Sequence, residues 1–543
     1  MPENTEIIKR WGKLRSEKSQ WDNHYDDLAR IFLPRRLGFA STTIEGERRT
    51  EDLYDSTPMQ AARGLANAIG GMMRPEGLPE VEMMTDEDAL NNMDEVKDWL
   101  ADSEKRMKDA FNNPKARFRQ AGSEKDMDLV VFGTAVMFIG ESISNLLFQS
   151  IHLKDATYFF NEEGSPEGMF RKRKFTLRQA VQRFGKNKLS LEAQKKFEKS
   201  EDDKIDILHA VLPRKESKSQ PLFAKDLPFA DLWIEIEEKN TLSEGGFHEF
   251  PFVVPRWDTT SGEDQGRSPG MVALPDGDTL QAMGETILIA GQRAADPPLA
   301  VPNDGSFSAI NTFPGGLVYY DVDTASELRG SPFFPIESGM NLPISREMQG
   351  DTRDQVWSAF FRNILNLPVE GPQMTATEVI QRKEEFMREI GPTFGKFETE
   401  DTAPTVERVF MIMLRGGGFA PIPEVLQGQN IRFEYNSPVK RIRQQIDAAA
   451  ARMWADEQIA LGASIPEALD LINVDELGRF SAEAAGIPKQ IVNSDEVVEQ
   501  IRQGRAQVKA EKEETEALQQ LSELVKTGAD AGEKLTRNEQ EVA

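Results

Sequence analysis

Two stretches, DGDTLQAMGETILIAGQRAADPP (Asp276–Pro298) and SREMQGDTRDQVWSAFFRNILNLP (Ser345–Pro368), decide how the chain is organised. Acidic residues at Asp276 and Asp278 suit a helix N-terminus, and Leu280, Met283, Ile287 and Ala290 recur at helical spacing. That helix must stop before Asp296-Pro297-Pro298, because a residue preceding proline is pushed out of the α region. The second stretch predicts a returning helix from Ser345 to Leu365, ended by Leu367-Pro368. Each helix would be roughly 30 Å long at 1.5 Å per residue. Two matched helices around a Pro- and Gly-punctuated excursion predict a stalk carrying a small head. Such a device holds other things apart or passes something along itself.

Outward from the stalk, composition narrows the function. The chain has 543 residues, no cysteine and four histidines, His24, His152, His209 and His248, scattered without metal-binding spacing. Disulfides, thiolate nucleophiles and cysteine–metal sites are excluded together, and a zinc site is not expected. With 65 basic against 91 acidic residues the formal net charge is −26, the opposite of a surface that grips nucleic acid. No run is apolar enough to span a membrane, and the N-terminus has no signal-peptide core, so a protein made in the cytoplasm is expected. No lysine occurs from Asn240 through Arg382, which predicts surfaces kept from DNA or buried between subunits.

Before the stalk, residues 1–275 mix helices with a modest, mainly antiparallel sheet. Trp11, Leu14, Trp21, Tyr25, Leu28 and Phe32 mark an N-terminal helix, and Asp55-Ser56-Thr57-Pro58 starts another. Leu129–Glu141 reads as a buried helix running into a strand, and Ile151–Phe160 and Gly168–Phe175 read as paired strands. The basic run Arg171-Lys172-Arg173-Lys174 reads either as a sheet edge protected by charge or as a contact surface. Phe250–Asp258, broken by proline, reads as an edge strand. Within the head, strands are expected at Leu299–Val301, Gly316–Asp321 and Phe333–Ile336. After the stalk, Asn366–Thr375 is a loop, and Thr375 with Glu378 forms a capping box opening a helix to Ile390. Helices dominate from Lys440 onward, and the last residues are expected to fray. The fold class is therefore α+β, predominantly helical.

A search for catalysis finds little. There is no phosphate-binding GxxxxGK[ST] loop and no GxSxG elbow. Acid pairs such as Asp126/Asp128 and Asp321/Asp323 could hold a divalent ion for a metal-dependent nuclease, but so acidic a chain produces such pairs by chance. No catalytic residue, metal ligand or cofactor is assigned. Arg293, Arg346, Arg353 and Arg362 lie on the stalk helices, where intersubunit ion pairs or contact with a passing duplex are the readings.

Several patterns in fixed order carry a family resemblance. They are Tyr54-Asp55-Ser56-Thr57-Pro58, Phe132-Gly133-Thr134-Ala135 leading to Gly140-Glu141, Gly168-Met-Phe-Arg171, and His209-Ala-Val-Leu-Pro-Arg214. Gly266-Arg-Ser-Pro-Gly-Met271, Asp296-Pro297-Pro298, Phe313-Pro-Gly-Gly316 and Met374-Thr-Ala-Thr-Glu-Val379 follow. The chain thereby resembles the portal proteins, or head-to-tail connectors, of short-tailed bacteriophages.

The resemblance implies a non-enzymatic dodecameric ring at one capsid vertex, with a channel for packaging and ejecting double-stranded DNA. It implies a portal fold: an α+β wing (1–275 and 367–435), a two-helix stem (276–296 and 343–366), a small α/β clip (297–342), a helical crown (436–490) and a C-terminal helical barrel (491–543). The channel loop would comprise Asn366, Leu367, Pro368, Val369, Glu370, Gly371, Pro372, Gln373, Met374 and Thr375. Implied partners are further copies of the chain, DNA without sequence specificity, terminase, major capsid and scaffolding proteins, and tail adaptor and internal ejection proteins, with no membrane. The implied location is the head–tail vertex of the virion, and the host cytoplasm during assembly. Twelve copies would carry a formal charge of about −300, which lowers friction on a sliding polyanion. The competing reading is an adaptor or baseplate-like virion protein that conducts no DNA.

Overall fold

The computed structural model describes residues 3–41, 44, 46–74, 78–79, 81–91, 93–142, 145–215, 223–302, 317–320, 334–335, 342–362, 388, 391–435, 438–462, 465, 470–485, 487, 491–493, 497–510 and 512. It is α+β, with long helices and several small sheets, and divides into two compact units, Met1–Val439 and Lys440–Ala543.

The first unit is built on the helix Asn4–Phe32. Tyr25, Leu28, Ile31 and Phe32 fall on one stripe at three- and four-residue steps and are fully buried. Its first turns carry Ile7 and Trp11 onto an antiparallel sheet of five strands. These are β4 (Ala156–Phe160), β5 (Pro166–Thr176), β6 (Lys204–Pro213), β7 (Phe229–Glu235) and β8 (Thr241–Phe247), side by side in that order. Strand alternation gives the sheet two apolar faces. Leu208, Ala210 and Leu212 of β6 meet the N-terminal helix, while Ile205 and Ile207 meet the helices Leu177–Phe184 and Leu191–Lys199. Burial on both faces is why β6 reads as an almost continuous apolar run.

A second core lies beyond the sheet. Strand β1 (Val81–Thr85) pairs antiparallel with β13 (Ile431–Tyr435), so the unit's last strand returns to its first. Around them pack the helices Asp94–Asn112 and Ala403–Arg415 and the sheet of β3 (Asn145–Ser150), β2 (Met137–Ser142) and β9 (Phe252–Val253). Trp99, Phe111, Phe118, Phe148 and Phe410 fill it. β9 is an edge strand of two residues, as its prolines predict.

The stalk consists of two helices packed against each other, Pro269–Ala295 and Leu342–Ala359. Two sequence expectations are corrected here. The outgoing helix begins at Pro269 rather than Asp276, with Pro275 inside it. Ser268 caps it by accepting from the Met271 amide at 3.0 Å, and burial of Gly270, Ala273 and Gly277 outweighs the one hydrogen bond that Pro275 cannot donate. The returning helix, Leu342–Ala359, is interrupted at Phe360–Phe361 instead of running unbroken to Leu365, which lies outside the described residues. Phe360 is buried against Phe32, ring centroids 5.4 Å apart, and Phe361 turns to φ +57°, which breaks the helical run.

In the head, strands stand at the three expected positions: β10 (Leu299–Pro302), β11 (Leu317–Tyr320) and β12 (Phe334–Pro335). β10 lies in the middle, parallel to β11 and antiparallel to β12. In the second unit, the helices Pro438–Gly462 and Val474–Ala484 are joined by Arg452 donating to Ser481 at 3.1 Å, and Arg502 forms an ion pair with Asp475.

Candidate functional site

The stalk is seated in the first unit by backbone contact. The helix Phe118–Phe132 ends at Gly133, whose φ of +77° favours glycine. There its backbone meets that of Gly266, and a Cβ on either residue would strike the other's carbonyl oxygen. Gly266 donates its amide to Thr134 Oγ1 at 2.7 Å, and Ser268 donates its hydroxyl to the Val131 carbonyl at 2.7 Å. The motifs Phe132-Gly-Thr-Ala and Gly266-Arg-Ser-Pro-Gly are thus the two sides of one crossing.

Along the outgoing helix the glycines fall every seven residues, at 270, 277, 284 and 291. Seven residues are nearly two turns, so they share a face. A Cβ on Gly270 would sit 2.8 Å from the Val131 carbonyl oxygen, on Gly277 2.8 Å from Ile31, and on Gly284 2.9 Å from the Tyr54 Cβ. Gly291 has nothing within 4 Å among the described residues. The first three glycines let the helix lie directly on the body. The period was available in the sequence, but it is a small-residue signal that an apolar-stripe reading passes over.

A polar knot fixes the middle of the stalk. The buried Gln281 amide accepts from the Tyr54 and Asp55 backbone amides at 2.8 and 2.9 Å and donates to the Asp55 carbonyl at 2.8 Å. The Asp55 carboxylate accepts from the Thr57 amide at 2.8 Å and from Arg353 Nε and Nη2 at 2.9 and 2.8 Å. Burial opposes charge on Asp55, but the Thr57 and Arg353 hydrogen bonds prevail and hold its carboxyl below its ordinary value. Tyr54-Asp55-Ser56-Thr57 therefore binds both stalk helices at once.

The strap Arg256-Trp257-Asp258 joins the two described ends of the 363–390 segment. Trp257 stacks on Phe361 at 6.3 Å on one end and meets Phe397 edge-on at 5.4 Å on the other. Arg256 grips Glu400 with Nη2–Oε1 at 2.7 Å, and Asp258 accepts from Lys396 at 2.6 Å. Here the helix widens into a π-turn at Glu398–Thr402, which turns Asp401 inward onto the buried Lys125 amine. Arg408 and Arg415 both reach Glu249, at 3.2 and 2.9 Å, and secure the helix further on.

The residues singled out from sequence fall as follows. Arg353 has its partner within the chain, Asp55. Arg362 lies over the Trp357 ring at 3.8 Å, and Arg293 and Arg346 are exposed. The loop Asn366–Thr375, the helix from Thr375, and Asp321/Asp323 lie outside the described residues. Asp126 is paired with the buried Arg74 and lies 3.9 Å from Lys125, and Asp128 pairs with Arg36 at 3.0 Å. Burial raises the Asp128 carboxyl to about 7 against the pull of Arg36. Among the described residues no group of three or more His, Asp or Glu could hold a metal ion. Buried His209 hydrogen-bonds Asp231 at 2.8 Å, and burial keeps its pKa below the ordinary value.

Comparison with known proteins bears on this arrangement. The model of a family described as bacteriophage head to tail connecting protein matches residues 4–492. The chain is 28% identical over 549 aligned residues to a protein named "Probable portal protein" of Bordetella phage BPP-1, spanning 98% of this chain and 96% of that one. It is 26% identical over 514 aligned residues to the "Portal protein" of Salmonella phage epsilon15, spanning 93% of this chain and 91% of that one. Among solved structures, a chain from "Neck of empty GTA particle computed with C6 symmetry" is 11% identical, with 77% of this chain and 95% of that chain covered and a TM-score of 0.37. A chain from "Virion of native gene transfer agent (GTA) particle" is 11% identical, with 83% and 96% covered and a TM-score of 0.34.

Proposed function

The chain belongs to the bacteriophage head-to-tail connecting proteins, the portal proteins of the particle, and from that premise we propose that copies of it form a ring at one capsid vertex through which double-stranded DNA is packaged and ejected. The family match over residues 4–492 carries this reading. In it, residues 276–296 and 343–366, which take in most of the paired helices Pro269–Ala295 and Leu342–Ala359, are the stem and residues 297–342 the clip. Residues 1–275 and 367–435 form the wing, and the chain beyond 436 forms crown and barrel. The segment Asn366–Thr375 is the channel loop. Terminase and tail adaptors dock at the clip end, and capsid, scaffolding and ejection proteins contact the remainder. The protein acts in the virion after assembly in the host cytoplasm, as a structural member of the particle.

Two features support a ring. Stem residues Val272, Leu288, Ile289, Ile344 and Met348 are exposed, an apolar surface suited to neighbouring copies. The net charge of −26 suits a wall along which DNA slides without sticking.

The test is imaging of purified protein and of procapsids along the symmetry axis. The expected result is a ring with a channel wide enough for a duplex. A ring too narrow for DNA would favour an adaptor that conducts none. Deleting Val369–Gln373 should leave rings intact and impair packaging or retention of DNA; normally filled particles would remove the loop assignment.

A further inference from the structure

The basic run Arg171–Lys174 has no part in the reading above. Alternation along β5 divides it. Lys172 pairs with Asp206 at 2.6 Å on one face of the sheet, and Arg171 and Arg173 belong to the other. Arg171 is hydrogen-bonded into the sheet between Ala156 and His209, but β4 pairs with β5 no further, so from Lys172 onward β5 has a strand partner on one side only. On the arginine face, His209 lies flat against Trp233, centroids 4.2 Å apart and planes 9° apart. Arg183, from the helix Leu177–Phe184, holds its guanidinium 4.3 Å above the same indole. Arg173 lies 4.7 Å over Phe175 and 5.9 Å over Trp233. Arg171 is steadied by Gln149 Oε1 at 3.2 Å.

Two guanidiniums, of Arg173 and Arg183, are thus oriented on one aromatic platform, with Arg171 held by Gln149 on the same strand face, and among the described residues none of the three forms an ion pair. The carboxylate whose charge reaches Arg171 and Arg173 is Asp155, which is outside ion-pair contact with them. Burial and mutual repulsion lower the Arg171 and Arg173 pKa values. In a chain with 91 acids, an arginine cluster left without a carboxylate is a positive site awaiting an anion. Guanidinium forks fixed on rings suit bidentate carboxylate recognition, and their planes are already ordered before a partner arrives.

We propose that Arg171, Arg173 and Arg183 form a docking site for an acidic segment of a second copy of this chain, an inference that rests on the ring reading. Charge complementarity selects that occupant. Each copy carries an excess of acid, including the exposed turns Glu162–Glu163 and Glu201–Asp203, and a head-to-tail ring contact joins two different patches of the same chain.

The experiment compares the full chain with its R173Q/R183Q variant, Arg183 being exposed and Arg173 half-buried. Assembly is followed by sedimentation velocity across concentration and ionic strength, with circular dichroism as the folding control. Wild type should form rings that weaken as salt rises. The variant should fold normally, need about tenfold more protein to assemble and show a shallower salt dependence. R173E/R183E should be weaker again. Equal assembly midpoints and salt slopes for wild type and both variants would overturn the docking site while leaving the ring intact. Unchanged assembly with lost binding of a short DNA duplex would overturn it in favour of a nucleic-acid contact. A wild-type chain that forms no ring at any salt would overturn the reading of function, and the docking site with it.

Discussion

The outgoing stalk helix Pro269–Ala295 and the helix Pro438–Gly462 are both long and alanine-containing, yet their surroundings differ. The first is held by its own chain: Gly270, Gly277 and Leu280 are buried and Gln281 makes three hydrogen bonds. The second buries Ala448 and Ala455, while Met453, Trp454, Ile459 and Leu461 are exposed, Met453 at 64%. A helix becomes a fixed part of one chain where glycines admit close approach and polar groups find partners. Where the described residues supply less of this, apolar side chains are left exposed for other copies to cover.

The sharpest way to break this contrast is at the crossing that seats the stem. Gly133→Ala adds a methyl group against the Gly266 carbonyl at a residue with φ of +77°. It should cost more than about 3 kcal/mol, because positive φ and backbone overlap act together. Chemical denaturation measures it, and a wild-type midpoint would show that the crossing does not bear on stability.

Asp55→Ala should come next, at about 2–3 kcal/mol, since it removes the acceptor for Arg353 and Thr57 from a buried site. Because the Asp55 carboxyl is held below its ordinary value, its contribution is present above the unfolded value and lost as pH falls through the folded one. Asp55→Asn should therefore be closest to wild type in acid and diverge as pH rises to neutrality. Thermal melts at pH 3 to 7 decide this, and a constant difference would point to packing instead.

The glycine period gives a test with a change of sign. Gly277→Ala should destabilise by about 1–2 kcal/mol, as its methyl meets Ile31. Gly291→Ala meets nothing within 4 Å and should be neutral or stabilise an isolated chain by up to about 1 kcal/mol. Equal effects at both positions would remove the distinction between the close approach at Gly277 and the open space at Gly291.

The smallest expected effect on the isolated chain is at Met453 and Trp454. Replacing both with serine should change monomer stability by less than about 0.5 kcal/mol. The same change should reduce ring yield in native mass spectrometry. Unaltered assembly would show that this stripe is not an interface.

Much of the fold was legible because it rests on local rules. Proline ended the outgoing helix at Asp296, apolar and aromatic runs marked β4 and β5 as paired strands, and strands stood where the head's short apolar runs placed them. Pro275 misled the helix start, since a proline reads as a break and the burial that overrides it is not local. Phe361 misled the helix end for the same reason: its partner Trp257 is remote in sequence. Asp126 and Asp128 looked like a metal pair because spacing shows acids and not the cations Arg74, Lys125 and Arg36 that meet them.

By itself the sequence determined a stalk of two helices, an α+β body, a chain without thiol chemistry and the order of motifs that marks the portal family. The tertiary structure alone decided what those motifs do. Tyr54–Thr57 clasps both stalk helices, Gly133 and Gly266 form one crossing, and Arg256–Asp258 joins the two described ends of the 363–390 segment. The reason is physical: helix ends and strand alternation follow from neighbours in sequence, whereas close backbone approach and ion pairing depend on groups that only folding brings together.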